Sequence, residues 1–333
     1  MTRLEVYNSI DEIKKTFDIT RIIEKETEFQ KLVTDLENSD EFIYRGINDA
    51  SFKMYSSSQR DYVVKGLSNK FGNYIDYLKS IYNHSKSVRK GLLLKFYDAT
   101  RQNLRYFPSQ QQGYIEENLP YNSFWAFSFI QHYGIPSPLI DFSGSFLASL
   151  FFAWDNALEV KNSYLLNDYM QINYFNKEEL QKQNNFQSIM KHSISEAKKL
   201  NLQNVNSATQ NFMTYFDFFN ITTSKIYYVD KSGATRTLKR VPVTFDINID
   251  FNIFNLNIIA QDGLFIPNPD ENKCLEDIWN NLSLPKMKKI LIHKSLVKNI
   301  ETVLKQNAGN NVKEAYYPQE EEVVNDLYNN VLK

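Results

Sequence analysis

Apolar and polar positions recur along the chain with two periods, one helical and one of strand type. Near the N-terminus Ile10, Ile13 and Phe17 repeat at helical spacing, and Ser9 followed by Glu12 forms a capping box, so a helix starts there. A second helical pattern runs over roughly residues 21 to 38. It gives way to EFIYRGIND, where Phe42 and Tyr44 alternate with Ile43 and Arg45, and Gly46 and Asp49 signal a turn. Arg45 is thereby placed at a strand end. From about residue 65 to 130 the pattern is mostly helical, which predicts a helical insertion between two strands.

QHYGIPSPLIDFSGSFLASLFFA, residues 131 to 153, is a near-continuous apolar run interrupted by one carboxylate, Asp141, and a nearby hydroxyl, Ser143. Side chains alternate along a strand, so in PLIDFS Leu139, Asp141 and Ser143 share one face and Ile140 and Phe142 the other. Leu147, Leu150, Phe151, Trp154 and Leu158 then make a helical stripe. Further strands are expected in SYLLNDYMQINYF, SKIYYVD, RVPVTFDIN and NLNIIAQDGLFIP, with a helical excursion near 177 to 215. The C-terminal part reads strand, helix, short strand, helix. The sum is an α+β chain with a mixed or antiparallel β core and helical insertions.

The charge pattern then asks what partners Asp141, since a buried carboxylate must be paired, neutralised or placed at a site. Composition narrows the classes of answer. With 333 residues, 42% of them hydrophobic, the chain can bury a large core. The net charge of −1, from 38 basic and 39 acidic residues, gives no global field for nucleic acid or an anionic membrane. Lys286, Lys288, Lys289, Lys294 and Lys298 are locally dense, but no aromatic residues are interleaved to stack bases, and a solvated face is the better reading. A single cysteine, Cys274, excludes an internal disulfide framework, and four dispersed histidines leave little to hold a metal, so no metal is expected. The charged, helical N-terminus is unlike a secretory signal and no stretch is long and apolar enough to span a bilayer, so a cytoplasmic protein is expected. Phosphate-binding G-x-x-x-x-G-K-[ST], dinucleotide-binding G-x-G-x-x-G, zinc-binding H-E-x-x-H and nucleophile-elbow G-x-S-x-G motifs are all absent.

Three separated pieces carry a family resemblance: YRG at 44 to 46 with Arg60 downstream, the 131 to 153 block, and IIAQDGLF at 258 to 265. In this order they resemble the FRG domain family, whose middle motif is usually Q-H-Y-G-x-P-T-R-L-L-D-W-T and whose third is R-I-x-A-Q-Q-G-x-F. A closing YYPQEEEVV is similar to an aromatic-Pro-acidic element of that family. The resemblance covers about residues 25 to 330, after a helical lead-in over 1 to 24. Tyr44 stands for Phe, Ser137-Pro138 for Thr-Arg, Phe142 and Ser143 for Trp and Thr, Asp262 for Gln, and Asn257 for Arg. Two basic groups of the pattern are therefore missing.

By fold-level analogy the order of these pieces also resembles the ADP-ribosyltransferase arrangement, in which Arg, a hydroxyl and an acid come from separated strands. That resemblance implies NAD as a substrate and a role as a toxin or anti-phage defence effector, with a protein or nucleic-acid acceptor. Cleaving nicotinamide from NAD builds an oxocarbenium-like centre, which calls for a cation on the pyrophosphate and a carboxylate near the ribose. Arg45, with Arg60 nearby, fits the clamp. Asp141 or Asp262 fits the carboxylate, Ser143 and Gln261 the ribose contacts, Tyr133 or Phe142 the stacking on nicotinamide or adenine, and His132 a further cofactor contact or general base. Each residue has a structural alternative. Arg45 and Asp141 make a structural ion pair, Ser143 caps the following helix, His132 is a hydrogen-bonded core histidine, and the aromatics are core. Two other functions stay open: a non-catalytic nucleotide- or protein-binding module, and a nucleic-acid-targeting effector.

Overall fold

The computed structural model of the chain describes residues 4–81, 131, 135–160, 163–181, 188, 226–229, 235–238, 261, 263–268 and 270–317. Within them lie strands β1 (Asp18–Ile23), β2 (Phe42–Ile47), β3 (Leu139–Ser143), β4 (Tyr169–Asn176), β5 (Ile226–Val229), β6 (Thr235–Leu238), β7 (Gly263–Pro267) and β8 (Lys288–His293). Six of these form one open sheet in the order β1-β8-β4-β2-β3-β7, while β5 and β6 pair separately. β1 and β8 are parallel and the other neighbours antiparallel, so the sheet is mixed and the class is α+β.

Both faces of the sheet are covered. On one, Tyr44, Met170, Ile172, Tyr174, Ile290 and Ile292 pack against α2 (Glu26–Leu36), α4 (Phe146–Trp154) and α6 (Val297–Ala308). Here α1 is Ile10–Thr16 and α3 is Ser57–Val64. On the other face Ile43, Ile140, Phe142, Phe175 and Ile266 meet Tyr7, Ile13 and Phe17 of the N-terminal segment, together with Leu275 and Trp279 of α5 (Leu275–Asn281). The apolar α4 lies so close to β2 that a Cβ on Gly46 would stand 1.8 Å from the Ser149 carbonyl oxygen. Glycine is required there by contact, since side-chain volume has nowhere to go.

Several elements depart from the sequence reading. Ser9 does cap α1, accepting from the Glu12 amide, but Glu12 returns its carboxylate to the Asn8 amide. The helical pattern read over roughly 21 to 38 is the helix Glu26–Leu36, and its first residues belong instead to the edge strand Asp18–Ile23. The β-branched residues of DITRII were the available strand signal. Ser145, not Ser143, caps the helix after β3, accepting from the Ala148 amide. The helix ends at Trp154, and Leu158 beyond it is exposed. The short strand expected near the C-terminus is the helix α7 (Val312–Tyr316), which buries Val312 and Tyr316 four residues apart on one face. Most of the expected insertion at 65 to 130, and RVPVTFDIN, lie outside the described residues.

Candidate functional site

β2 pairs with β4 from Phe42 against Asn176 to Ile47 against Gln171, but meets β3 at one register position, Tyr44 against Ser143. Beyond that position the two strands part. A cavity of about 600 Å³ lies at this fork, with Arg45 from β2 and Leu139 and Asp141 from β3 in its wall. Arg45 is thus inside its strand rather than at the end.

The second wall is α3, whose Ser57, Arg60, Asp61, Val64 and Lys65 follow one another at i, i+3, i+4, i+7 and i+8. Its other face holds it down. Ser56 and Gln59 close a capping box, Tyr62 is buried, and the Gln59 amide donates to the carbonyls of Asp270 and Lys273 at 2.6 and 2.9 Å. Ser57 Oγ both accepts from the Ser137 amide at 2.9 Å and donates to its carbonyl, which ties α3 to the approach of β3. Phe152 of α4, Tyr317 just after α7, and Gln261 complete the wall. Tyr316 stacks on Phe151, and Gln261 Nε2 donates to the Tyr316 carbonyl at 2.8 Å, so the last described helix is fixed against the site.

Ion pairing inside the cavity is uneven. Arg45 Nη1 reaches Asp141 Oδ1 at 2.8 Å and also donates to the Asp141 carbonyl. Gln131 Nε2 donates to the same Oδ1 at 3.0 Å, and its own Oε1 is buried with no partner among the described residues. Lys65 pairs with Asp61 at 2.5 Å. Arg60 makes no ion pair or side-chain hydrogen bond with the described residues. Desolvation holds its pKa below the usual value, the Arg45 guanidinium lowers it further, and Asp141 opposes them. The residue is nonetheless exposed, and its guanidinium stays charged. Burial pushes the Tyr55 hydroxyl up to about 12, so it is a neutral donor in the wall.

The cavity therefore brings together Arg45, Arg60, Asp141 and Gln261 of the residues singled out from sequence. Ser143 is buried and absent from the wall. Its Oγ donates to the Gln261 carbonyl at 2.5 Å and accepts from the Ser145 amide at 2.9 Å, pinning the turn after β3 to the third motif. Phe142 points to the opposite face and packs on Phe175 in the core, so it is no platform for a nucleotide ring. His132, Tyr133 and Asp262 lie outside the described residues. Tyr55, Asp61, Lys65, Gln131, Phe152 and Tyr317 were not singled out. The periodicity of α3 around Arg60 was the available signal for two of them. Among the described residues no group of three His, Cys, Asp or Glu side chains is placed to hold a metal, and no helix is long and apolar enough to cross a membrane.

Fold and site together define an α+β protein with an open mixed sheet and a cation-rich cavity where two strands diverge. Residues 40–162 match the family model of the FRG domain. The matched span contains YRG and the 131 to 153 block, and hence Arg45, Arg60, Gln131 and Asp141. Comparison with curated proteins and with solved structures returns no match.

Proposed function

We propose that the cavity is a nucleotide site and that its reaction is cleavage of the N-glycosidic bond of NAD, by hydrolysis or by transfer of ADP-ribose to an acceptor. The observation that carries this reading is a carboxylate, Asp141, held by Arg45 and Gln131 in a cavity whose cations outnumber its carboxylates among the described residues. A volume of about 600 Å³ is within the range of roughly 300–1,000 Å³ usual for small-molecule sites. Among the described residues three cations, Arg45, Arg60 and Lys65, face two carboxylates there, which suits an anionic ligand.

In this reaction the C1′–N bond breaks and its electron pair returns to the nicotinamide ring nitrogen, discharging the pyridinium. Positive charge builds at C1′ and O4′ of the ribose. Asp141 lowers that charge's energy, and Arg45 and Gln131 keep the carboxylate in place so that no reorganisation is needed during the step. The oxygen of water or of an acceptor hydroxyl bonds to C1′ and its proton passes to solvent. Rapid turnover would deplete the cell of NAD, which is the action of a toxin or defence effector.

A second reading, a non-catalytic nucleotide-binding module, is favoured by one observation: the Ser143 hydroxyl and the Gln261 amide nitrogen are committed to backbone carbonyls. The two readings separate in one assay, in which the protein is incubated with NAD and nicotinamide release is followed. Release is expected, falling about a hundredfold or more in Asp141→Asn. NAD binding without release would sink the enzyme reading and leave the module.

A further inference from the structure

We propose that the recognition element of the ligand is a ribose phosphate, with the phosphate on Arg60 and a sugar hydroxyl donating to Gln131 Oε1. This rests on the reading of the cavity as a nucleotide site and assigns the groups that select the ligand. Arg45 was the expected phosphate clamp, yet its Nη1 is spent on the carboxylate and carbonyl of Asp141. Arg60 is the guanidinium in the wall with no acidic partner among the described residues, and it stands within the field of Arg45. Like charges in one wall repel, and an anion beside Arg60 relieves that repulsion while accepting a planar fork of donors.

Gln131 supplies the complementary half. Because the Asp141 carboxylate only accepts, the Gln131 amide must turn its nitrogen to Oδ1, which fixes Oε1 as an acceptor with no donor among the described residues. A buried acceptor left without a donor is costly, and a hydroxyl from the ligand satisfies it. A phosphate site and a hydroxyl site in the wall of one cavity, with Phe152 and Tyr317 as its aromatic wall, suit the sugar-phosphate part of a nucleotide better than a free base.

The test is calorimetric titration of the full chain with AMP, adenosine and 2′,3′-dideoxy-AMP, repeated with Arg60→Gln. AMP is expected to bind about tenfold to a hundredfold more tightly than adenosine, as a charged hydrogen bond to phosphate would give. Arg60→Gln is expected to remove that preference while leaving adenosine affinity unchanged. Dideoxy-AMP, which needs no variant, is expected to bind several-fold more weakly than AMP to the native protein. Equal binding of AMP and adenosine, or a phosphate preference that survives Arg60→Gln, would overturn the assignment. The reaction and the assignment fail separately. NAD cleavage with KM unchanged in Arg60→Gln sinks only the assignment, and Arg60-dependent AMP binding without NAD cleavage sinks only the reaction.

Discussion

Arg45 donates to both the carboxylate and the carbonyl of Asp141, and that double hold decides what its removal does. Its side chain is 10% exposed and that of Asp141 34%. Breaking a fully buried pair costs about 3–5 kcal/mol, because the remaining charge is stranded. The partial exposure of Asp141 lets water take over some of that role, so Arg45→Ala is expected to lower stability by about 2 kcal/mol. Asp141→Asn keeps an acceptor for the guanidinium and is expected to cost about half as much. Urea denaturation of both variants checks the order, and an Asp141→Asn that unfolds more readily than Arg45→Ala contradicts it. The carboxylate within the 131 to 153 run is thus partnered, and it also lines a cavity.

At the scale of elements, the approach of α4 to β2 is set by Gly46. Any side chain there collides with backbone, which cannot swing aside as a flexible side chain does. Gly46→Ala is therefore expected to cost about 3 kcal/mol or more and to reduce ligand binding through displacement of the neighbouring Arg45, read from the urea midpoint and from AMP titration. The core of this arrangement was legible from sequence. The alternation in EFIYRGI and PLIDFS gave β2 and β3, and the apolar stripe gave α4, because these segments are buried and periodic. The edge strand β1 was not legible, since a strand with one neighbour shows a weak pattern, with Asp18, Thr20 and Ile22 exposed. Nor was the withdrawal of Ser143. Residues on one face of β3 do share a direction, but the third motif covers the end of that face, and a contact between positions 118 residues apart has no signature in local periodicity.

Across the whole molecule, a buried amine ties four regions together. Lys289 of β8 is fully buried, 3.9 Å above the Phe17 ring, and donates to Gln171 Oε1 of β4. Gln171 in turn donates to the carbonyls of Asp49 and Phe52, in the loop that leads toward α3. Glu276 of α5 accepts from the Met54 amide and the Tyr7 hydroxyl. Desolvation lowers the Lys289 pKa from 10.5 to about 7, against opposing contributions from Glu276 and Cys274. Between these two values the unfolded chain holds a proton that the folded chain has released. Stability is therefore expected to rise with pH from about 7 toward 10, by at most about 1.4 kcal/mol per pH unit from this group. Lys289→Met is expected to lose that rise. Denaturation curves at several pH values check this, and an unchanged slope in the variant would refute it.

The forked sheet has a consequence for how far the family signature can stand for the working protein. A polypeptide cut at 40 and 162 would retain YRG, Arg60 and the Asp141 block. It would lose β4, which holds β2 along its whole length, and β7, which holds β3, leaving two strands joined at a single register position. Gln261 and Tyr317 would go with them. The recognisable segment carries the charged groups, but the geometry that spaces them belongs to chain that the signature does not reach.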